Sequence, residues 1–255
     1  MAAKIDHLRL KLDQMSERIV SGLKDRSRYL VNNGVFLEEF CNGMTWFKYR
    51  LFREQSLDSE FGRYEFEDQH PLLFKKDQLA SPKRPRPHSD LGIVLVPIDN
   101  GPEILNMYRD IVGKICQIGE TSDNYGEIAK LDVSNVLTLH ERICGFAAKV
   151  AEYKIEKEPR TLHFDPDFLR SYLTDTEREK QVMDYALTLA RKEQLPNAEV
   201  MPTFFRTIID KTLDLEVDYI LKAGENRRNQ VPRSPVGFGQ TPKSPEPKRA
   251  GWGTK

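Results

Sequence analysis

Several features that would place this chain quickly are missing from it. No stretch approaches the roughly 18 consecutive apolar residues that a membrane-spanning helix requires, and the opening MAAKIDHLRL lacks the apolar run of a signal peptide. Cysteine is scarce: Cys41, Cys116 and Cys144 are odd in number and far apart, which excludes a disulfide framework and any zinc-ligand spacing. Neither sign of charge is in excess, because 39 Lys and Arg are balanced by 39 Asp and Glu, so no overall field directs the chain to nucleic acid or to a membrane surface. The five histidines are scattered, and no HExxH, P-loop or dinucleotide-binding glycine pattern occurs. Free thiols in a reducing, cytoplasmic setting are therefore expected, with no metal and no cofactor.

What the sequence does have is helical periodicity. In 131–158, LDVSNVLTLHERICGFAAKVAEYKIEKE, the apolar residues Val133, Val136, Leu137, Ile143, Phe146, Val150 and Tyr153 recur at three- and four-residue steps, the period of a helix burying one face. Two cations, Arg142 and Lys154, are set among them. A cation close to a buried stripe must meet an anion, because an unpaired buried charge is very costly. That anion is either a carboxylate of the same chain or a small polyanion held inside a helical bundle.

Residues 3–32 predict a first long helix, with Ile5, Leu8, Leu12, Met15, Ile19, Leu23 and Leu30 as its stripe and Asn32-Asn33-Gly34 as its stop. Arg9 and Arg26 fall within about 20° of one another on it, and at least one of them is expected to be solvated. Residues 35–57 predict a second helix with a heavy aromatic load, suited to a core or a subunit contact. From 58 to 102 the pattern breaks into an irregular, proline-rich basic segment around Pro85, with LGIVLVPID too short and isolated to imply a sheet. Pro102 opens a helix that runs towards Gly119. After Pro159 a shorter element, DPDFLRSYL, precedes a helix whose cap is expected at Thr174 and Asp175, with Glu177 and Glu179 in the first turn. A last amphipathic helix spans TFFRTIIDKTLDLEVDYILKA, and on it Thr212 and Glu216 share a face. The expected architecture is all-α, a single multi-helix domain over 1–224, followed by a disordered basic tail over 225–255 in which Ser234, Thr241 and Ser244 each precede proline.

Along most of its length the chain resembles the all-helical chorismate mutases of fungi and plants. IDHLRLKLDQMSERIVSGLKDRS resembles the opening helix of that family, with an arginine at Arg9's place. RYEFEDQHPLLF resembles its Arg-aromatic-Glu to Asp-x-x-Pro segment after the second helix, PEILNMYRDIV resembles the helix leading to its regulatory loop, and NYGE falls where the family has its Asn-Phe-Gly-Ser turn. ERICGFAAKVAEYKI resembles its Arg-Ile to Glu-x-Lys-Phe stretch, and KTLDLEVDYIL its closing helix, with Thr and Glu four apart before a tyrosine. DTERE is closer to the short bacterial form of the enzyme. The resemblance implies an isomerase that rearranges the dicarboxylate chorismate to prephenate in one pericyclic step of aromatic amino acid biosynthesis, works as a homodimer and needs no cofactor. It implies that Arg9 and Arg142 clamp the carboxylates with Thr212 assisting, that Lys154 and Glu216 meet the ether oxygen, and that Glu179 takes the ring hydroxyl. Asp175 stands beside Glu179, and Arg178 supports the carboxylate region. A non-catalytic helical binding protein descended from such an enzyme is the alternative.

A carboxylate cannot donate a hydrogen bond to an ether oxygen, so Glu216 is expected to act protonated, its pKa raised by burial. The chain departs from the family in three places. Arg142 and Lys154 are twelve residues apart where the family has eleven, and twelve steps of straight α-helix would leave them about 120° apart. The extra residue predicts a π-bulge or kink between Cys144 and Lys149, eased by Gly145. Asp175 stands where the fungal and plant form has Asn. Gly126-Glu127 stands at the turn where the family binds a regulatory aromatic amino acid, and of the accompanying arginine pair only Arg63 is matched.

Overall fold

The structure, a computed structural model, describes residues 2–66, 69–83 and 100–230. Among these the architecture is helical: α1 (Ala2–Arg26), α2 (Gly34–Leu37), α3 (Trp46–Glu60), α4 (Gly101–Ile115), α5 (Tyr125–His140), α6 (Phe146–Lys157), α7 (Pro166–Leu173), α8 (Thr176–Lys192) and α9 (Met201–Gln230). Two short strands, β1 (Glu39–Cys41) and β2 (Met44–Thr45), form the one sheet described. Among the described residues no helix is long and apolar enough to cross a membrane.

The all-α expectation holds, with boundaries that differ for identifiable reasons. α1 stops at Arg26, whose side chain turns inward and anchors the segment that leaves the helix. Its two terminal nitrogens donate to the carbonyls of Leu30 (2.8 Å) and Val31 (2.6 Å), and Nε meets Asp132 at 2.7 Å. Arg26 is therefore fully buried, and of the two arginines on this helix Arg9 is the exposed one. Tyr108 Oη donates to the same Asp132 oxygen at 2.6 Å, and Asn135 donates to Tyr108 Oη and to the Gly22 carbonyl. One polar network thus fixes the end of α1 against the middles of α4 and α5. At the α1–α5 crossing a Cβ on Gly22 would lie 2.0 Å from Asn135 Oδ1, so only glycine allows that approach.

The single helix expected over 35–57 is interrupted. Asn42 (φ 53°) and Gly43 (φ 72°) both take left-handed backbone, which makes a two-residue hairpin between β1 and β2. Thr45 then caps α3 by accepting from Lys48 N. Pro102 lies in the first turn of α4 as expected, and α4 ends at Ile115, short of Gly119. At the far end, α9 continues through Glu225 to Gln230, where disorder was expected from 225. Extending an existing helix needs no new nucleus, and no proline intervenes before Pro232. The Pro85 segment, LGIVLVPID, Ser234, Thr241 and Ser244 lie outside the described residues.

The apolar interior falls into a large cluster and two smaller ones. The large one joins α1, α3, α4, α5, α8 and the first half of α9, through residues such as Leu23, Phe47, Tyr108, Val136 and Phe205. The second joins α6 and α7 to the second half of α9, through Ile155, Leu169 and Ile220. The third holds Leu8 and Met15 of α1 against Phe146 and Tyr153 of α6. α9 runs through both larger clusters, and polar residues gather where they meet.

Candidate active site

Between α5 and α6 the chain forms a π-turn, Glu141–Gly145. It absorbs one residue, so the stripe of α5 (Val133, Val136, Leu139) and that of α6 (Ala147, Ala151, Ile155) both stay buried. The turn sits about one helical turn earlier than the sequence led us to expect, overlapping the predicted span only at Cys144 and Gly145. Nor does Gly145 act by its flexibility: its φ is −68°, and an added Cβ would meet nothing closer than Glu141 Cγ at 3.4 Å. The consequence is that Arg142 and Lys154, which straight helix would separate, line one cavity.

That cavity, about 150 Å³ in volume, lies among α1, α6, α8 and α9 and the π-turn. Arg142, Lys154, Asp175, Arg178, Glu179, Thr212 and Glu216 all line it, on apolar walls that include Leu12, Val150 and Val182. It opens into a vestibule of about 880 Å³ that shares Lys154, Asp175 and Arg178 and adds Tyr153 and Tyr172. Arg9 lines this vestibule from α1 and is exposed; it does not line the inner cavity.

Within the cavity most charges are already paired. Lys154 Nζ donates to Glu216 Oε2 at 2.7 Å and to the Leu173 carbonyl at 3.2 Å. Glu216 is 6 % exposed, and its burial raises the carboxyl pKa against the opposing pull of Lys154 and Arg142. Arg178 donates to Asp13 of α1 at 2.7 Å, and Glu179 accepts from Arg206 of α9 at 2.7 Å. Asp175 caps α8 by accepting from Arg178 N at 3.0 Å, as its place in the sequence predicted. Thr212 spends its hydroxyl proton on the Ile208 carbonyl one turn back. Arg142 differs from all of these. It is 5 % exposed and has no hydrogen-bond partner among the described residues, and its Nε is fully enclosed without one. Burial pushes its guanidinium down to about 10; Glu216 and Asp13 counter this, and Arg178 adds to the fall. It is still a cation at neutral pH, walled in and unmatched, at the edge of a cavity that can receive a compact anion.

Neither Asp13 nor Arg206 was singled out from the sequence. Asp13 follows Leu12 and comes four residues after Arg9, so a carboxylate at the edge of the α1 stripe was the available signal; nothing in the pattern around Arg206 marked it. The residues matched to a regulatory turn are not brought together within the chain. Arg63 bonds Asp58 and Gln69 and reaches Glu141 beyond the end of α5. Gly126 and Glu127 stand in the first turn of α5, about 22 Å away along that helix.

A helical bundle whose apolar-walled pocket holds a buried, unpartnered arginine beside a lysine–glutamate pair has the make-up of a protein that receives a small anion. The comparisons give that class a name. Residues 124–217 match the family model described as chorismate mutase type II. The chorismate mutase of Schizosaccharomyces pombe is 24 % identical over 243 residues, which cover 86 % of this chain and 95 % of that protein. A chorismate mutase from Candida albicans, solved in complex with L-Trp, superposes with a TM-score of 0.75 at 23 % identity over 86 % of this chain and 90 % of its own. The chloroplast chorismate mutase of Zea mays gives a TM-score of 0.73 at 23 % identity over 86 % and 95 %. The fold is thus that of the all-helical chorismate mutases of fungi and plants, and residues 124–217 carry the sequence likeness to the type II family.

Proposed function

We propose that the cavity among α6, α8 and α9 is where this isomerase converts chorismate to prephenate. The observation that carries the reading is the walled-in, unpartnered Arg142 beside the Lys154–Glu216 pair. The rearrangement is intramolecular: one C–O bond breaks and one C–C bond forms within a single dianion, and negative charge grows on the ether oxygen in the transition state. The protein's work is therefore to hold the compact conformer and to meet that charge.

In this reading Arg142 binds a substrate carboxylate through its planar fork. Arg178 stands by from the vestibule side, and Arg9 reaches in from α1 when substrate arrives. Lys154 keeps two ammonium hydrogens on Glu216 and Leu173 and has a third for the ether oxygen. Glu216, its pKa raised by burial, donates from its other oxygen when protonated. Glu179 accepts the ring hydroxyl, Thr212 turns its hydroxyl from Ile208 to a carboxylate, and Asp175 acts as the cap that sets α8. Turnover of chorismate by the purified protein tests this, with Arg142→Ala and Lys154→Ala beside it. The expected result is turnover in the wild type and a loss of about a hundredfold or more in each variant. A folded, inactive wild type that still binds dicarboxylates would favour the non-catalytic reading.

A homodimer is part of the proposal. It is supported by Leu37, Phe40, Leu57 and Phe61, large apolar side chains left exposed along α2, β1 and α3 and just beyond it. Sedimentation at micromolar concentration tests it, and a monomer would count against it. A cytoplasmic location is supported by three cysteines that stay unpaired.

A further inference from the structure

Glu179 is buried at 8 % exposure in the first turn of α8, and it lines the inner cavity. Its hydrogen-bond partner comes from another helix. Arg206, six residues before Thr212 on α9, donates to Glu179 Oε2 at 2.7 Å while its own side chain is 46 % exposed and stays out of the cavity wall. One carboxylate oxygen is thereby fixed, and Oε1 has no partner among the described residues. A carboxylate held at one oxygen by a charged donor can no longer turn freely about its last torsion, so the second oxygen is presented in one direction. An ion pair this exposed contributes little to the stability of the fold. Its geometric effect, by contrast, falls directly on a cavity-lining acceptor.

We infer that Arg206 is a positioning residue that aims Glu179 at a hydroxyl on the ligand ring, and that the pair makes the site selective for the hydroxylated ring over its deoxy counterpart. The inference rests on the function proposed above. It assigns the hydroxyl preference jointly to a residue of α8 and a residue of α9 that does not touch substrate. Because the contact to the hydroxyl exists before and during bond rearrangement, it adds equally to ground-state and transition-state binding, and its loss should appear in KM rather than kcat.

The test uses the full chain with chorismate and with an analogue lacking the ring hydroxyl. Arg206→Ala is expected to raise KM for chorismate about tenfold, the low end for a hydrogen bond to a charged group because Arg206 is half exposed. The rise on the analogue should stay under about threefold. Glu179→Gln should show the same pattern, the double variant should be no worse than Glu179→Gln alone, and Arg206→Lys should recover most of the loss. Equal losses on both substrates, or additive losses in the double variant, would overturn the inference while leaving the proposed activity standing. A wild type that does not rearrange chorismate would remove the activity itself. Should Arg206→Ala not fold, Arg206→Met keeps the aliphatic stem and carries the same comparison.

Discussion

Deletion of Gly145 isolates the role of the π-turn. Counted as straight helix, the twelve residues from Arg142 to Lys154 make a rotation of about 120° beyond three full turns, which would carry the guanidinium roughly 9 Å around the helix surface. Eleven steps leave about 20°, or roughly 2 Å. The π-turn brings the two side chains to one cavity by storing the extra residue, and Gly145 is the member of that turn with no side chain to lose. The deletion should convert Glu141–Gly145 to ordinary α-helix while keeping the buried registers of α5 and α6. We expect the variant to fold, with stability within about 1 kcal/mol of wild type, and to keep kcat/KM for chorismate within about tenfold. Arg142→Ala serves as the reference for a lost clamp, at about a hundredfold. Turnover and thermal melting, measured on all three proteins, decide the matter. A deletion variant that melts like wild type and loses as much activity as Arg142→Ala would refute the account of the turn as a register correction.

Three further outcomes follow from the buried charges. Glu216 has its pKa raised by burial, so its protonated, donating form grows as pH falls; turnover should rise towards acid and decline as pH climbs through that pKa. Glu216→Gln, which donates at every pH, should flatten the profile, and a variant profile with the wild-type shape would sink the donor role. His140 is buried beside His70 and Arg63, and burial first, then those two neighbours, brings its pKa from 6.5 to about 4. A depressed folded pKa means stability that is complete above pH 6.5 and is lost as pH falls towards 4, about 3 kcal/mol across that window. His140→Gln should lack that component in urea titrations run at pH 7 and pH 4, and an unchanged difference between the two pH values would count against it. Asp132→Ala leaves Arg26 enclosed without its carboxylate and should cost about 3–5 kcal/mol, whereas replacing both partners by apolar residues should cost less than either single change. Chemical denaturation of the two single variants and the double variant checks this.

The legible part of the chain was the part that repeats. Apolar periodicity located α1, α4, the long α5–α6 stretch and α9, because each buries one continuous face and little else competes there. Asp175 was legible as a cap because that chemistry is local. The hairpin at Asn42-Gly43 carried its own signal, two residues suited to left-handed backbone, but the surrounding aromatic run matched a helix and won the reading. The end of α1 was not legible, since it depends on Arg26 meeting Asp132, which is 106 residues distant. For the site, the resemblance supplied residues that the structure gathers in one cavity. Arg9 is the exception, standing outside in the vestibule. Asp13 and Arg206 escaped notice because they act through other side chains, and only the packing of α1, α8 and α9 shows which ones.

The length of α9 has a practical side. Gln230 lies fourteen residues beyond Glu216, about 21 Å along a rigid rod. A fluorophore, a tether or a fused domain attached there would be held clear of the Glu216 cavity by the helix itself. The protein therefore offers a built-in standoff for immobilisation on a surface or for scaffolding beside a second enzyme, with the proposed site left unencumbered.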